Sequence, residues 1–397
     1  MKDSNFIIGR SLSKLSMALI LLSGIVNTMD ELSSLQIPIL FAGVFVALFN
    51  LSTIKKIKLI SYKYYIIPTL CLFSGIISGI VLVELSLLLN AVALFVVFFV
   101  FTQIYSINEF LDDIDDIVMV IFVFVTLGSL LINPIKLTNY TGLFYNLNAL
   151  GGVYCSFFSY FLATIKENSK TIKIKLVFCM ISFFFVIVSS SRGAFVSTIF
   201  IFFVWLYLSL KSKGHFDNKK LIKTMVALSF IGLIIYCSPL YSIIYDSIIV
   251  KFINKSRDIS AGRSDIWLTA WAERSFFGHG RMYFSGYKTT INHTIVRFGA
   301  HNTIVSILGQ YGLMGAISYT LLFLFFLIIT IKNYKKNKSY KPILLTLSFM
   351  ALSLFEGMLM KVSMFFMYYG ITCCVKNKED DTISLILENI TYGDQTR

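Results

Sequence analysis

Charge is what this sequence has least of: Asp, Glu, Lys and Arg make up 14% of its 397 residues, against 56% hydrophobic residues. With a mean hydropathy of +0.77, the chain lacks the polar surface that a soluble fold needs. Its apolar runs show no ten-residue alternation of side chains, which excludes a membrane β-barrel. The cysteines, Cys71, Cys155, Cys179, Cys237, Cys373 and Cys374, lie in or beside apolar segments without CxxC spacing. Neither a disulfide framework nor a zinc site is indicated. An internal repeat is also missing, which counts against a transporter built from related halves.

Acidic residues are scarcer than basic ones, 21 against 35, and the net charge is +14. Most of the basic residues stand in short loops beside apolar runs, the pattern of topology signals, so no nucleic-acid partner is inferred. Membrane lipids are the surroundings this composition implies.

What is present is an all-α, polytopic membrane protein with one long external loop. Runs of roughly 17 to 25 apolar residues match a hydrocarbon core of about 30 Å. About twelve spans fit, at 15–29, 37–54, 64–83, 85–105, 117–133, 146–165, 173–189, 193–210, 222–239, 302–331, 341–355 and 360–375. The first has a basic start, yet Ser23, Gly24, Val26 and Asn27 make a poor cleavage site, so it reads as a span and not a removed signal. The organisation is then nine spans over 1–239, an external basic loop over 240–301, three spans over 302–375 and a cytoplasmic tail over 376–397.

With the N-terminus in the cytoplasm, the lysines at 55–63, 166–175, 211–223 and 332–341 fall inside. The acidic stretch Glu109–Asp116 also falls inside and reads as a solvated turn without a role. Outside lie Lys136, Arg192, Lys361 and the basic residues of the long loop, among them Arg257, Arg263, Arg274, Arg281 and Arg297. External loops normally avoid such density, so an anionic substrate accounts for it better than topology does. A short helix is expected over Asp265–Arg274.

Several external motifs carry chemistry. SSSRG, Ser189–Gly193, is a tight turn that holds Arg192 near the outer surface, where a guanidinium calls for an anionic partner such as phosphate. AGRSDIW, Ala261–Trp267, pairs a glycine approach with Arg263. HNTIVSILGQYGLMG opens with His301 and Asn302 at the mouth of the tenth span, and a neutral imidazole there suits deprotonation of a sugar hydroxyl. Asn146 and Asn148, in NYTGLFYNLNALGG, offer hydrogen bonds to a sugar, with helix capping as the plainer reading. Glu356 has two available partners, the nearby Lys361 or an arginine of the site. His279, His293 and His301 lack HxH or HxxxH spacing, so no metal site is assigned.

In order, GLFYNLNALG, SSSRG, AGRSDIW, the basic loop and HNTIVSILGQYGLMG resemble the O-antigen polymerase and O-antigen ligase superfamily of bacterial membrane glycosyltransferases. The resemblance implies a metal-independent, cofactor-free enzyme of the inner membrane whose site faces outside. It implies an undecaprenyl-diphosphate-linked glycan as donor and an acceptor glycan-lipid, with chain-length regulator and flippase proteins as partners. Arg192 and Arg263 then engage the diphosphate and His301 assists the acceptor hydroxyl, with Asn146, Asn148, Asn302, Arg257, Arg281, Arg297 and Glu356 as substrate-binding candidates. A polymerase is the expectation because the His301 segment is similar to polymerase-like members. A ligase acting on lipid A core and a glycan-lipid flippase are the alternatives.

Overall fold

The computed structural model describes residues 2–29, 31–53, 62–104, 114–165, 171–212, 236–245, 249–250, 263–285, 288–291, 294–297 and 299–375. Helices α1 (Lys2–Val26), α2 (Gln36–Thr53), α3 (Ile66–Val81), α4 (Leu85–Phe99), α5 (Ile114–Ile132), α6 (Leu147–Thr164), α7 (Ile172–Val188) and α8 (Arg192–Ser212) form the first part. After a short α9 (Pro239–Ile244) come α10 (Arg263–Ala272), α11 (Thr303–Asn337), α12 (Lys341–Ser353) and α13 (Val362–Val375). Five helical stretches, Ser33–Asn50, Leu85–Gln103, Ile114–Ile132, Arg192–Lys211 and Thr303–Asn337, are long and apolar enough to cross a membrane. A helix stands at each stretch read as a span except 222–239, which lies almost wholly outside the described residues. The tail 376–397 also lies outside them.

α6 is the axis of the bundle. Every residue from Ala149 to Thr164 is buried, the pattern of a helix packed on all sides. Phe157 and Tyr160 pack their rings against Phe366 of α13, and Tyr154 stacks on Phe185 of α7 at 4.3 Å. These contacts bind α6, α7 and α13 together through offset and edge-on aromatic pairs.

Four departures from the sequence reading matter. α10 begins at Arg263 and ends at Ala272, slightly earlier than the expected Asp265–Arg274. The loop read as external adds a small antiparallel hairpin, β1 (Lys288–Ile291) with β2 (Thr294–Arg297), to a chain otherwise helical among the described residues. Asp115, read as part of a solvated turn, instead lies 2.6 Å from the Nζ of Lys175, whose side chain is only 3% exposed. Lys175 also donates to the Thr164 carbonyl at 3.1 Å, and Tyr160 donates to Asp115 at 2.7 Å, so a cation read as a loop charge is buried with its partner.

The fourth departure is in α11, read as one continuous span. Its backbone breaks at Gly312, with φ 72° and ψ −167°. In an unbroken helix the carbonyls of Gly309 and Gln310 accept from Leu313 and Met314. Here His279 and Gly280 donate to those carbonyls at 2.8 and 3.3 Å, while Leu313 and Met314 donate to Ser275 and Phe276 at 3.0 and 3.3 Å. The segment after α10 is thereby inserted into the helix, and these two carbonyls and two N–H groups released by the break find new partners. The approach requires glycine on both sides: a Cβ on Gly312 would lie 2.3 Å from the Gly278 nitrogen, and one on Gly278 would lie 2.3 Å from the Gln310 oxygen.

Candidate active site

The SSSRG turn is fixed before it reaches Arg192. Ser190 adopts φ 57°, the Ser189 hydroxyl accepts from the Ser191 N–H at 3.2 Å, and Ser191 donates to Asn148 Oδ1 on α6 at 3.0 Å. α8 therefore starts at Arg192, whose side chain is partly buried. The next residue, Gly193, lies against Phe355, where an added Cβ would come within 2.5 Å of the Phe355 Cβ. This contact sets the loop between α12 and α13 on the first turn of α8.

That loop carries Glu356, which is 8% exposed. His301 brings Nδ1 to 3.1 Å from both of its carboxylate oxygens. Arg263, the first residue of α10, places Nη2 3.8 Å from Glu356 Oε1 and donates from Nη1 to the Phe355 carbonyl at 3.2 Å. Burial lowers the Arg263 pKa from the usual arginine value; Glu356 opposes this shift and Arg192 adds to it. The Arg192 charge is thus felt at Arg263. Thr303 completes the joint, donating to the Glu356 carbonyl and accepting from the Met358 N–H, both at 2.9 Å.

His301 itself has φ 46°, a left-handed conformation uncommon outside glycine. The helix cap is the following residue, Asn302, whose Oδ1 accepts from the Val305 N–H at 3.0 Å while its Nδ2 donates to Leu354 at 3.3 Å. With capping assigned to Asn302, the His301 ring is directed to the carboxylate.

The structure therefore brings Arg263, His301 and Glu356 into contact and sets Arg192 beside them. Asn146 caps α6 by accepting from the Ala149 N–H at 2.8 Å, and Asn148 holds the serine turn. Arg281 sits elsewhere: its backbone N–H donates to Glu84 at 2.8 Å, beside the turn between α3 and α4. Arg257 and His293 lie outside the described residues, and of Arg297 only the backbone is described, paired with Lys288. Of the two partners open to Glu356, the arginine is the one found, together with His301.

Residues 177–320 match the family model described as O-antigen ligase. Over this stretch the chain is similar to the O-antigen ligase family. The matched stretch of the O-antigen ligase family includes Arg192, Arg263 and His301 and stops before Glu356, so the acid that joins two of them comes from outside it. No curated protein matches the chain.

Proposed function

We propose that this protein is a metal-independent membrane glycosyltransferase that polymerises undecaprenyl-diphosphate-linked repeat units into O-antigen, capsule or exopolysaccharide. The contact of His301 and Arg263 with one carboxylate, beside Arg192, carries the reading. A planar guanidinium matches a diphosphate with two parallel donors, and two such groups neutralise the charge that develops on a departing diphosphate. A carboxylate only accepts, so Glu356 holds the proton on His301 Nδ1 and leaves the ring's lone pair on Nε2. That nitrogen takes the proton of the acceptor hydroxyl as its oxygen bonds to the anomeric carbon. The carbon–oxygen bond to the diphosphate breaks, and undecaprenyl diphosphate leaves with the electron pair.

The excess of lysine in the loops assigned to the inside supports a site on the outer face of the cytoplasmic membrane. Chain-length regulator and flippase proteins are the partners this setting implies. A ligase acting on lipid A core is the second reading, favoured by the description of the matching family. Purified protein supplied with lipid-linked repeat units should lengthen them without lipid A core. Glycan appearing only on added lipid A core would establish the ligase instead, and movement of glycan-lipid across vesicles without any transfer would overturn both.

A further inference from the structure

α10 carries Arg263 as its first residue and leads, through Ser275, to the break in α11. One face of it is covered, with Ile266 and Ala270 in a cluster with Phe284 and Ala300. Another side, together with the segment that follows, exposes Leu268, Trp271, Phe276 and Met282. The turn between α3 and α4 brings exposed Val83 and Leu85 alongside, because Glu84 between them accepts from the Arg281 N–H at 2.8 Å. Six large apolar side chains share this rim, and a grouping of that kind marks a surface that meets a partner.

Depth decides which partner. Lys332 ends the apolar part of α11, and twenty residues back (332 − 312) stands Gly312, where Ser275 and Phe276 join the helix. At about 1.5 Å per residue that is roughly 30 Å, the thickness of a hydrocarbon core. Lys63 precedes α3, and the same count (83 − 63) ends at Val83. The two counts end side by side, because Gly280 donates to Gln310 while its neighbour Arg281 donates to Glu84. Beyond the break, Ile317, Leu321, Leu324 and Ile328 are the exposed apolar stripe of α11, so the rim continues a surface already suited to lipid. Trp271 carries the Arg274 guanidinium over its ring at 4.9 Å, an amphipathic ring and a cation of the kind that settle at the headgroup layer. A glycan, polar all round, finds no match in Leu268, Val83 and Met282.

We propose that this rim is seated in the interfacial layer of the bilayer, with phospholipid headgroups as the partners of Arg274 and Arg281. α10 is then held against the lipid surface, and Arg263 at its head keeps a fixed height above the headgroups. The seat takes bulk phospholipid and not the lipid-linked donor, so it does not depend on which transfer the protein performs.

The chain has three tryptophans, Trp205, Trp267 and Trp271, so the emission lost in Trp271→Phe isolates the one on the rim. The test uses full-length protein in phosphatidylcholine nanodiscs. Trp271 emission should fall strongly when the lipid is brominated near its headgroup end, less when it is brominated near the chain ends, and little with aqueous iodide. Quenching by iodide alone would place the face in water and overturn the proposal. Shielding from both iodide and bromine would assign the face to another protein chain, and stronger quenching from the chain ends would sink it into the hydrocarbon; either result also overturns the proposal. Phe276→Trp, read as emission gained over the wild type, reports the same layer if Trp271→Phe does not assemble.

Discussion

His301 presents Nδ1 to both oxygens of Glu356 at an equal 3.1 Å, across 55 residues of sequence. Two acceptors around one nitrogen fix both the plane of the ring and its tautomer. Glu356→Gln should lower kcat about 10- to 100-fold, because an amide can turn its NH2 to the ring and leave the proton on Nε2. Donor binding, held by the arginines, should change little. Steady-state kinetics with a separate binding titration checks this, and wild-type kcat in Glu356→Gln would remove the acid from the mechanism.

Arg192→Lys and Arg263→Lys should each reduce transfer strongly although charge is kept, since a point ammonium cannot supply two parallel donors to a diphosphate. Arg274→Lys serves as the control. Its guanidinium lies over the Trp271 ring at 4.9 Å and donates to the Trp271 carbonyl at 2.7 Å, making no contact with the cluster among the described residues. Equal, mild losses at all three positions would point to a diffuse attraction.

His301→Ala should abolish transfer while the protein inserts and still binds its lipid-linked donor. Transfer assayed beside donor binding separates the two. Full activity would leave the arginines as the site and require another base.

Gly312→Ala and Gly278→Ala should each destabilise the protein, since each Cβ would meet backbone that has no room to yield and each glycine has a positive φ. The two residues share one contact, so the double variant should lose less than the sum of the single losses. Thermal unfolding in detergent measures this, and additive losses would contradict the shared contact.

Asp115→Asn should destabilise by something below the roughly 3–5 kcal/mol of a fully buried broken pair, because Asp115 keeps 31% of its side-chain exposure. Adding Lys175→Met should recover much of that loss by removing the stranded cation. A double variant no more stable than Asp115→Asn would show that Lys175 contributes through something other than this charge pair.

The spans were legible because a bilayer imposes a length on apolar runs that any reader of the chain can measure. The nearness of Arg192, Arg263 and His301 could be anticipated because each sits in a local motif whose charge is unusual for the external position read for it. Glu356 was left between two partners, since local spacing favours Lys361 and only the folded chain brings in Arg263 from 93 positions upstream (356 − 263). The break in α11 was invisible: the glycines of GQYGLMG read equally well as small residues for helix packing. The burial of Lys175 was not legible because lysines near a span are usually topology markers, and its neutralising acid is 60 residues away.

The inserted segment after α10 ties two parts of the site into one mechanical unit. Arg263 begins α10, His301 precedes α11, and the strand-like bonds across Gly309–Met314 prevent these helices from sliding past each other. Glu356 belongs to a different body, the α12–α13 turn, and is joined to that unit by the His301, Arg263 and Thr303 contacts. Parting these two bodies would break those few contacts together, and with them the hydrogen bond that holds the plane of the His301 ring.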